Sequence, residues 1–284
     1  MQLHRFDDIK EFCDRTGAYL LQYEVQHNLL LGLSHTLLHH PDRYPNLPYL
    51  AIVEIKGEIV AVAIRTPPHK LVLSRTIEPA AVELIANDLY NHQETVPGVS
   101  ALVAEAQTFV EAWQTLAGQS HQLTMQMRIH QLTVVQPVAT AKGFLRPATQ
   151  DDRPLLLEWF QDFVDEAIPS FGEDAERLVE GSLKTQSVYL WEDGVPVSFA
   201  CGSKSLPSAA RIGPVYTPPE YRRKGYATAC VAALSQQLLK RGCHSCFLFT
   251  DLANPTSNYI YQAIGCRPIC DWHDYSFISK AQKE

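Results

Sequence analysis

YRRKGYATACVAALSQQLLKRG, Tyr221 to Gly242, is the stretch from which the rest of the chain is read. Ala227, Val231, Leu234 and Leu238 recur at helical spacing on one face, while Ser235, Gln236, Lys240 and Arg241 fall on others. Gly242 suits the position just past a helix end. The start of this helix is unusual. First-turn backbone N–H groups lack an internal partner, and a Ser, Thr, Asp or Asn side chain commonly accepts one of them. Here the preceding residues are Arg222, Arg223 and Lys224, and the small residues Gly225 and Ala227 keep the space clear. An uncapped, basic helix start without bulk suits a phosphate or pyrophosphate.

The flanks sharpen that reading. Upstream, RIGPVYT (Arg211 to Thr217) puts Gly213-Pro214 inside an apolar run. Proline cannot donate to a ladder and strand glycine marks a bulge or close approach, so the strand is predicted to leave its neighbour around Val215. Free N–H groups in such a crevice can bind a ligand. Downstream, CFLFT (Cys246 to Thr250) reads as a buried strand, and Asn254-Pro255 as an N-cap with proline opening a helix that Gly265 ends. Leu155 to Ala167 has helical spacing, Ser187 to Trp191 and Val195 to Ala200 form a hairpin over Asp193-Gly194, and Arg267 to Ile278 is strand-like.

The first half repeats the order without the motif. Leu20 to Leu38 reads as largely helical, Tyr49 to Ile55 and Ile59 to Ile64 as a hairpin over Lys56-Gly57, and Leu71 to Ser74 as a strand. Ala80 to Asn91 is a helix, Gly98 to Ala104 a strand, Phe109 to Leu116 a helix and Gln122 to Val135 a long strand. This order suggests a structural duplication, with domains at 1–136 and 144–284 and a linker at 137–143.

At 284 residues, 46% hydrophobic and 19% charged, the chain is globular. A net charge of −7 argues against a nucleic-acid partner. No apolar run approaches the ~20 residues of a membrane span, no basic-then-apolar signal opens the chain, and an odd set of cysteines points to reduced thiols, so a cytoplasmic protein is expected.

VYTPPEYRRKGYATA resembles motif A of the GNAT superfamily of acyl-CoA-dependent N-acyltransferases, with Arg222, Gly225 and Ala227 on the pattern Arg/Gln-x-x-Gly-x-Gly/Ala and Val215 and Pro218 before it. NPTSNYIYQAIGCRP resembles motif B, with Asn254, Ser257, Tyr261 and Gly265 in order. The resemblance spans about residues 144–284 and implies an α/β (α+β) chain of two GNAT-like domains, each a mixed, largely antiparallel sheet flanked by helices. It implies acetyl-CoA as co-substrate, a small-molecule or peptide amine as acceptor, and direct attack in a ternary complex. Backbone from Arg223, Lys224, Gly225, Tyr226, Ala227 and Thr228, with Arg222, would hold the pyrophosphate. The Val215 N–H would point at the thioester carbonyl, and Tyr216 would belong to the cofactor-binding residues. Asn254, Ser257 and Asn258 would contact or organise the pantetheine arm, and Tyr261 would protonate the leaving thiolate. An alternative is a non-catalytic acyl-CoA-binding or sensing module.

The base has no decisive signature. Asp251 is preferred over Glu192, His273 and Asp274, although a turn role for Asp251 is at least as well motivated. Cys243-x-x-Cys246 with Cys266 and Cys270 imitates zinc spacing, but these read as small core residues and no metal is expected. His35 and His39 lack an acidic companion. In the first half the place of motif A is taken by SRTIEPAAVELIAND, without glycine or a basic cluster, so that half is expected to have lost coenzyme A and to shape the acceptor pocket, hold the pair of half-sheets together or form a homodimer surface.

Overall fold

Both halves of the chain start with a strand and two helices and continue with antiparallel strands. The computed structural model describes residues 1–139, 141–167 and 174–278. Its contacts group Met1–Ile129, Asp251–Ala253 and the chain from Ile269 into one unit, and His130–Thr250 with Asn254–Pro268 into a second. The sequence reading had placed a linker at 137–143 and carried the second domain to 284. The structure instead ends the first stretch at Ile129 and gives the last strand to the first unit. Strand-like composition at Arg267 to Ile278 says nothing about which neighbour that strand will pair with.

The first unit contains β1 (Gln2–Arg5), α1 (Ile9–Leu21), α2 (Asn28–His39), β2 (Tyr49–Ile55), β3 (Glu58–Arg65), β4 (Leu71–Leu73), α3 (Pro79–Asn91), β5 (Gly98–Leu102) and α4 (Val103–Ala117). To it belong the body of β6 (Ser120–Leu132) and, from Ile269, that of β12 (Arg267–Ile278). The strand order is β1-β2-β3-β4-β5-β12-β6. β4 and β5 are parallel, and the other registered pairs here are antiparallel. Val99, Ala101 and Tyr275 on one sheet face pack with Ile85, Leu89, Phe109 and Trp113 of α3 and α4.

The predicted helix over Leu20 to Leu38 is two helices. The Asn28 amide donates to the Val25 carbonyl at 2.7 Å, a local bond that competes with the helix ladder. The His27 ring lies 2.9 Å from the Leu20 carbonyl. β5 stops at Leu102 and runs directly into α4, so the strand is shorter and the helix longer than the periodicity suggested.

Gly98 lets β5 and β12 approach: a Cβ there would stand 2.0 Å from the Tyr275 carbonyl oxygen. Because that neighbour is backbone, Gly98→Ala must push the strands apart. Its cost is expected at or above the upper end of the ~1–3 kcal/mol typical of overpacking, read as a lowered urea midpoint with an unchanged slope.

The second unit contains β7 (Phe144–Pro147), α5 (Arg153–Ala167), α6 (Ala175–Lys184), β8 (Val188–Glu192), β9 (Pro196–Ser203), β10 (Ala209–Tyr216), α7 (Tyr226–Lys240), β11 (Ser245–Asp251) and α8 (Pro255–Ala263). Asp251 itself groups with the first unit, and His130–Leu132 of β6 with the second. The order is β11-β10-β9-β8-β7, antiparallel except for the parallel β10–β11 pair. One face packs Ala200, Ala210 and Leu248 under Val231, Leu234 and Leu238 of α7, and the other packs Phe199 against Trp159 and Phe160 of α5. α6 escaped the sequence reading. Its N-terminus is capped by Asp174, whose carboxylate accepts from Glu176 N–H at 3.0 Å.

Candidate active site

β10 and β11 pair only at Ala209–Ser245, Ala210–Cys246 and Arg211–Phe247. Beyond Arg211, β10 leaves its parallel neighbour while remaining paired with β9 through Val215–Ala200 and Tyr216–Phe199. The ladder slips between Ile212 and Val215, where Gly213 adopts φ +129°, a region glycine enters without a steric penalty. A crevice at the carboxyl ends of two parallel strands is the usual ligand position in such sheets.

α7 begins beside this break. Gly225, its N-cap residue, has φ +82°, and no side chain caps the helix. Arg223, two residues earlier, is also left-handed, at φ +62°. Tyr221 N–H bonds the Pro218 carbonyl and Arg222 N–H the Pro219 carbonyl, which closes the turn before the helix. Among the described residues, the N–H groups from Arg223 to Thr228 meet no backbone acceptor, and the next, Ala229 N–H, meets the Gly225 carbonyl. A Cβ on Gly225 would meet only the Ala141 methyl, at 3.9 Å, so the space before the helix is open. Orphan N–H groups, the positive end of a 15-residue helix and two cationic side chains fit a pyrophosphate.

Arg222 itself is committed elsewhere. Its guanidinium donates to the Thr217 carbonyl at 2.8 Å and to Glu166 Oε2 at 2.6 Å, and lies over the Tyr216 ring. The sequence reading gave Arg222 to the pyrophosphate; the structure ties its side chain and its N–H into the turn. Lys224 Nζ is 5.5 Å from the Tyr221 ring centre, and the Tyr226 hydroxyl donates to Asp193 Oδ2 at 2.6 Å. The Asp193-Gly194 turn between β8 and β9 therefore helps to seat the first residue of α7.

Asn254 caps α8: its side-chain oxygen accepts from Ser257 N–H at 3.1 Å. Ser257 Oγ and Asn258 Nδ2 both donate back to the Asn254 carbonyl, at 3.1 and 2.8 Å. The three residues thus organise one helix start. Asp251 Oδ1 accepts from Ala253 N–H at 2.8 Å, the turn role weighed against that of a base. Glu192 pairs with Arg146.

Tyr261 is 8% exposed and packs in the core with Cys230 and Cys266. No partner for its hydroxyl is found among the described residues. Burial raises its pKa well above the ordinary phenol value, with the neighbouring thiols adding to the effect. The same burial pushes Cys266 up to about 12, so neither group ionises near neutrality.

Carboxylates of α5 were missed by the sequence reading. Asp162, Asp165, Glu166, Tyr216 and Pro219 line a hollow of about 350 Å³. The Tyr216 hydroxyl donates to Asp162 Oδ2 at 3.2 Å, and burial together with Asp162 raises the phenol to about 12. The available signal was the spacing of Asp162 and Glu166, four apart on one helix face.

Comparison with known proteins agrees with this geometry. Residues 155–266 match the family model for the acetyltransferase (GNAT) family. No curated protein matches the chain. Among solved structures, a GNAT-family acetyltransferase from Colwellia psychrerythraea superposes with a TM-score of 0.55 at 12% identity, covering 98% of this chain and 99% of that one. A GCN5-related N-acetyltransferase from Sphaerobacter thermophilus gives 0.59 at 14% identity over 86% and 85%. A tandem GNAT protein from the clavulanic acid biosynthesis pathway gives 0.58 at 11% identity over 97% and 98%. Among the described residues no helix is long and apolar enough to cross a membrane. The stretch with the splayed strand pair and the bare helix start of α7 is thus the one that matches the acetyltransferase (GNAT) family model, at residues 155–266, and over 97–98% of the chain the fold is similar to that of solved GNAT proteins.

Proposed function

We propose that the second unit transfers an acetyl or other short acyl group from acetyl-CoA to a primary amine by direct attack. The observation that carries this reading is the glycine-led, uncapped start of α7 beside the strand that leaves its neighbour. Arg223 to Thr228 would present N–H groups to the pyrophosphate. Val215, just past the slipped register, would offer its main-chain N–H to the thioester oxygen as negative charge grows there. Asn254, Ser257 and Asn258 hold the start of α8, and so set where Tyr261 stands.

Tyr261 donates a hydrogen bond to the departing sulfur. A thiol titrates near ~8.5, so a phenol held above its usual ~10 keeps its own proton and acts by donating it in a hydrogen bond rather than by releasing it. Asp162 and Asp165 beside Tyr216 create a negative field that favours an acceptor bearing positive charge. Asp251, the base preferred from sequence, has its Oδ1 engaged in the turn before α8.

The burial of Tyr261 among apolar neighbours also favours a second reading, a module that binds acyl-CoA without turnover. Calorimetry with acetyl-CoA followed by an amine-panel assay decides between them. Binding with turnover supports transfer; binding without turnover on any amine supports the module; no binding removes both.

A further inference from the structure

In the first unit, β4 and β5 form the corresponding parallel pair. They are registered only at Leu71–Val99 and Val72–Ser100, and α3 follows β4 as α7 follows β10. α3, like α7, has no side-chain cap, but the loop before it differs in its hydrogen bonding. Ser74 N–H bonds the Val62 carbonyl. Arg75 N–H donates to His27 Nε2 at 3.1 Å, and Thr76 N–H donates to Glu105 Oε1 at 2.7 Å. Glu78 N–H then meets Thr76 Oγ1 at 3.0 Å. Three main-chain donors before α3, the N–H groups of Arg75, Thr76 and Glu78, are thus satisfied from within, whereas among the described residues no main-chain partner meets the N–H groups of 223–228.

We infer that the first unit is latched shut against acyl-CoA by its own side chains. The Glu105 carboxylate and the His27 ring take the Thr76 and Arg75 N–H groups, two main-chain donors at the entrance to α3. The choice of acyl-CoA as the excluded ligand rests on the function proposed for the second unit. Glu105 lies in the first turn of α4, immediately after β5, at the carboxyl end of the parallel pair. It is 5% exposed, costly for a carboxylate unless its position is fixed by donors such as Thr76 N–H. The residue at the same place in α8 is Ser257, whose short hydroxyl turns back to its own helix start.

His27 is fixed as firmly. Because Nε2 accepts from Arg75, the ring proton must sit on Nδ1 and point to the Leu20 carbonyl. Tyr19 stacks on this ring at 5.7 Å and donates to the Arg75 carbonyl at 2.6 Å, while the Arg75 guanidinium covers Tyr23 at 4.5 Å. Main-chain N–H, main-chain carbonyl and side chain of Arg75 are thus all held by residues of α1 and the turn after it.

Hydrogen–deuterium exchange on the full chain, with and without acetyl-CoA, tests the latch. In free wild type, the peptide covering residues 74–78 should exchange at least about tenfold more slowly than the one covering 223–228. Acetyl-CoA should slow 223–228 by about tenfold or more and change 74–78 by less than about twofold, with one ligand bound per chain by native mass spectrometry. Glu105→Ala should accelerate exchange at Thr76, whereas Glu105→Gln, which retains an acceptor, should restore protection. Fast exchange at 74–78 in the free protein, new protection there on adding ligand, or a second acetyl-CoA per chain would overturn the latch. If 223–228 does not respond, the reading of the second unit fails, and the free-protein rates still decide the latch. Those rates serve also if Glu105→Ala does not fold.

Discussion

Gly225→Glu is expected to reduce acetyl-CoA binding by two to three orders of magnitude while leaving the protein folded. The space around Gly225 is open, so the new side chain meets no wall. It brings a carboxylate to the proposed phosphate position. One like-charge pair at ~4 Å and an effective dielectric of ~20 costs about 4 kcal/mol, which is close to a thousandfold in Kd. The φ of +82° adds a strain of roughly 1–2 kcal/mol for any residue with a Cβ, and this falls on stability rather than on binding. Gly225→Ala separates the two effects: it should lower the melting temperature by a few degrees and retain most of the affinity. Calorimetry on both variants checks this, and wild-type affinity in the glutamate variant would place the pyrophosphate elsewhere.

Tyr261→Phe is expected to lower kcat about 100-fold with KM for acetyl-CoA unchanged. One hydrogen-bond donor aimed at developing negative charge contributes ~10²–10³-fold, and a phenol held above its ordinary pKa belongs at the lower end. Loss confined to kcat is the signature of an interaction made only in the transition state. Removing the hydroxyl strands no partner among the described residues, so thermal stability should stay within a degree or two. Steady-state kinetics and a melting curve on the same preparation suffice. Undiminished kcat would return Tyr261 to the role of a packed core aromatic.

Acid should weaken the first unit through His27. Burial lowers its pKa below the usual 6.5 of an imidazole, against the Leu20 hydrogen bond, which raises it. The charged or titratable groups around the ring are Tyr19, Tyr23 and Arg75. Since the unfolded chain takes up this proton first, stability is intact above about pH 6.5 and falls as pH drops from there toward the folded-state value. His27→Gln should flatten that part of the melting temperature–pH curve.

Local chemistry made the centre of the second unit legible. Helical spacing from Ala227 to Leu238, the missing cap and the Gly213-Pro214 interruption are each written within a few residues, and so are the Asn254 cap and the turn at Asp251. What escaped reading depends on partners far along the chain. Glu166 takes the Arg222 side chain from 56 positions away, and Glu105 reaches Thr76 across 29. Nothing in the stretch SRTIEPAAVELIAND announces that its amides are already bonded. The break between α1 and α2 joins a local bond, Asn28 to the Val25 carbonyl, to a distant one, since His27 is held by Arg75, 48 residues downstream.

The placement of β12 has a consequence for biosynthesis. Trp272 to Ser276 pair with Leu102 to Gly98, and the Trp272 indole donates to Ser100 across 172 positions of chain. A ribosome therefore finishes every residue of the second unit, through Pro268, before it delivers the strand that seals the flank of β5. The half made first is completed last, and until then it exposes an unpaired parallel-strand edge, a template for wrong partners. Closing so long a loop also slows folding more than it weakens the folded state. A released chain truncated after Pro268 should accordingly show a protease-resistant second unit and a first unit still open to cleavage, the reverse of the order in which the two are synthesised.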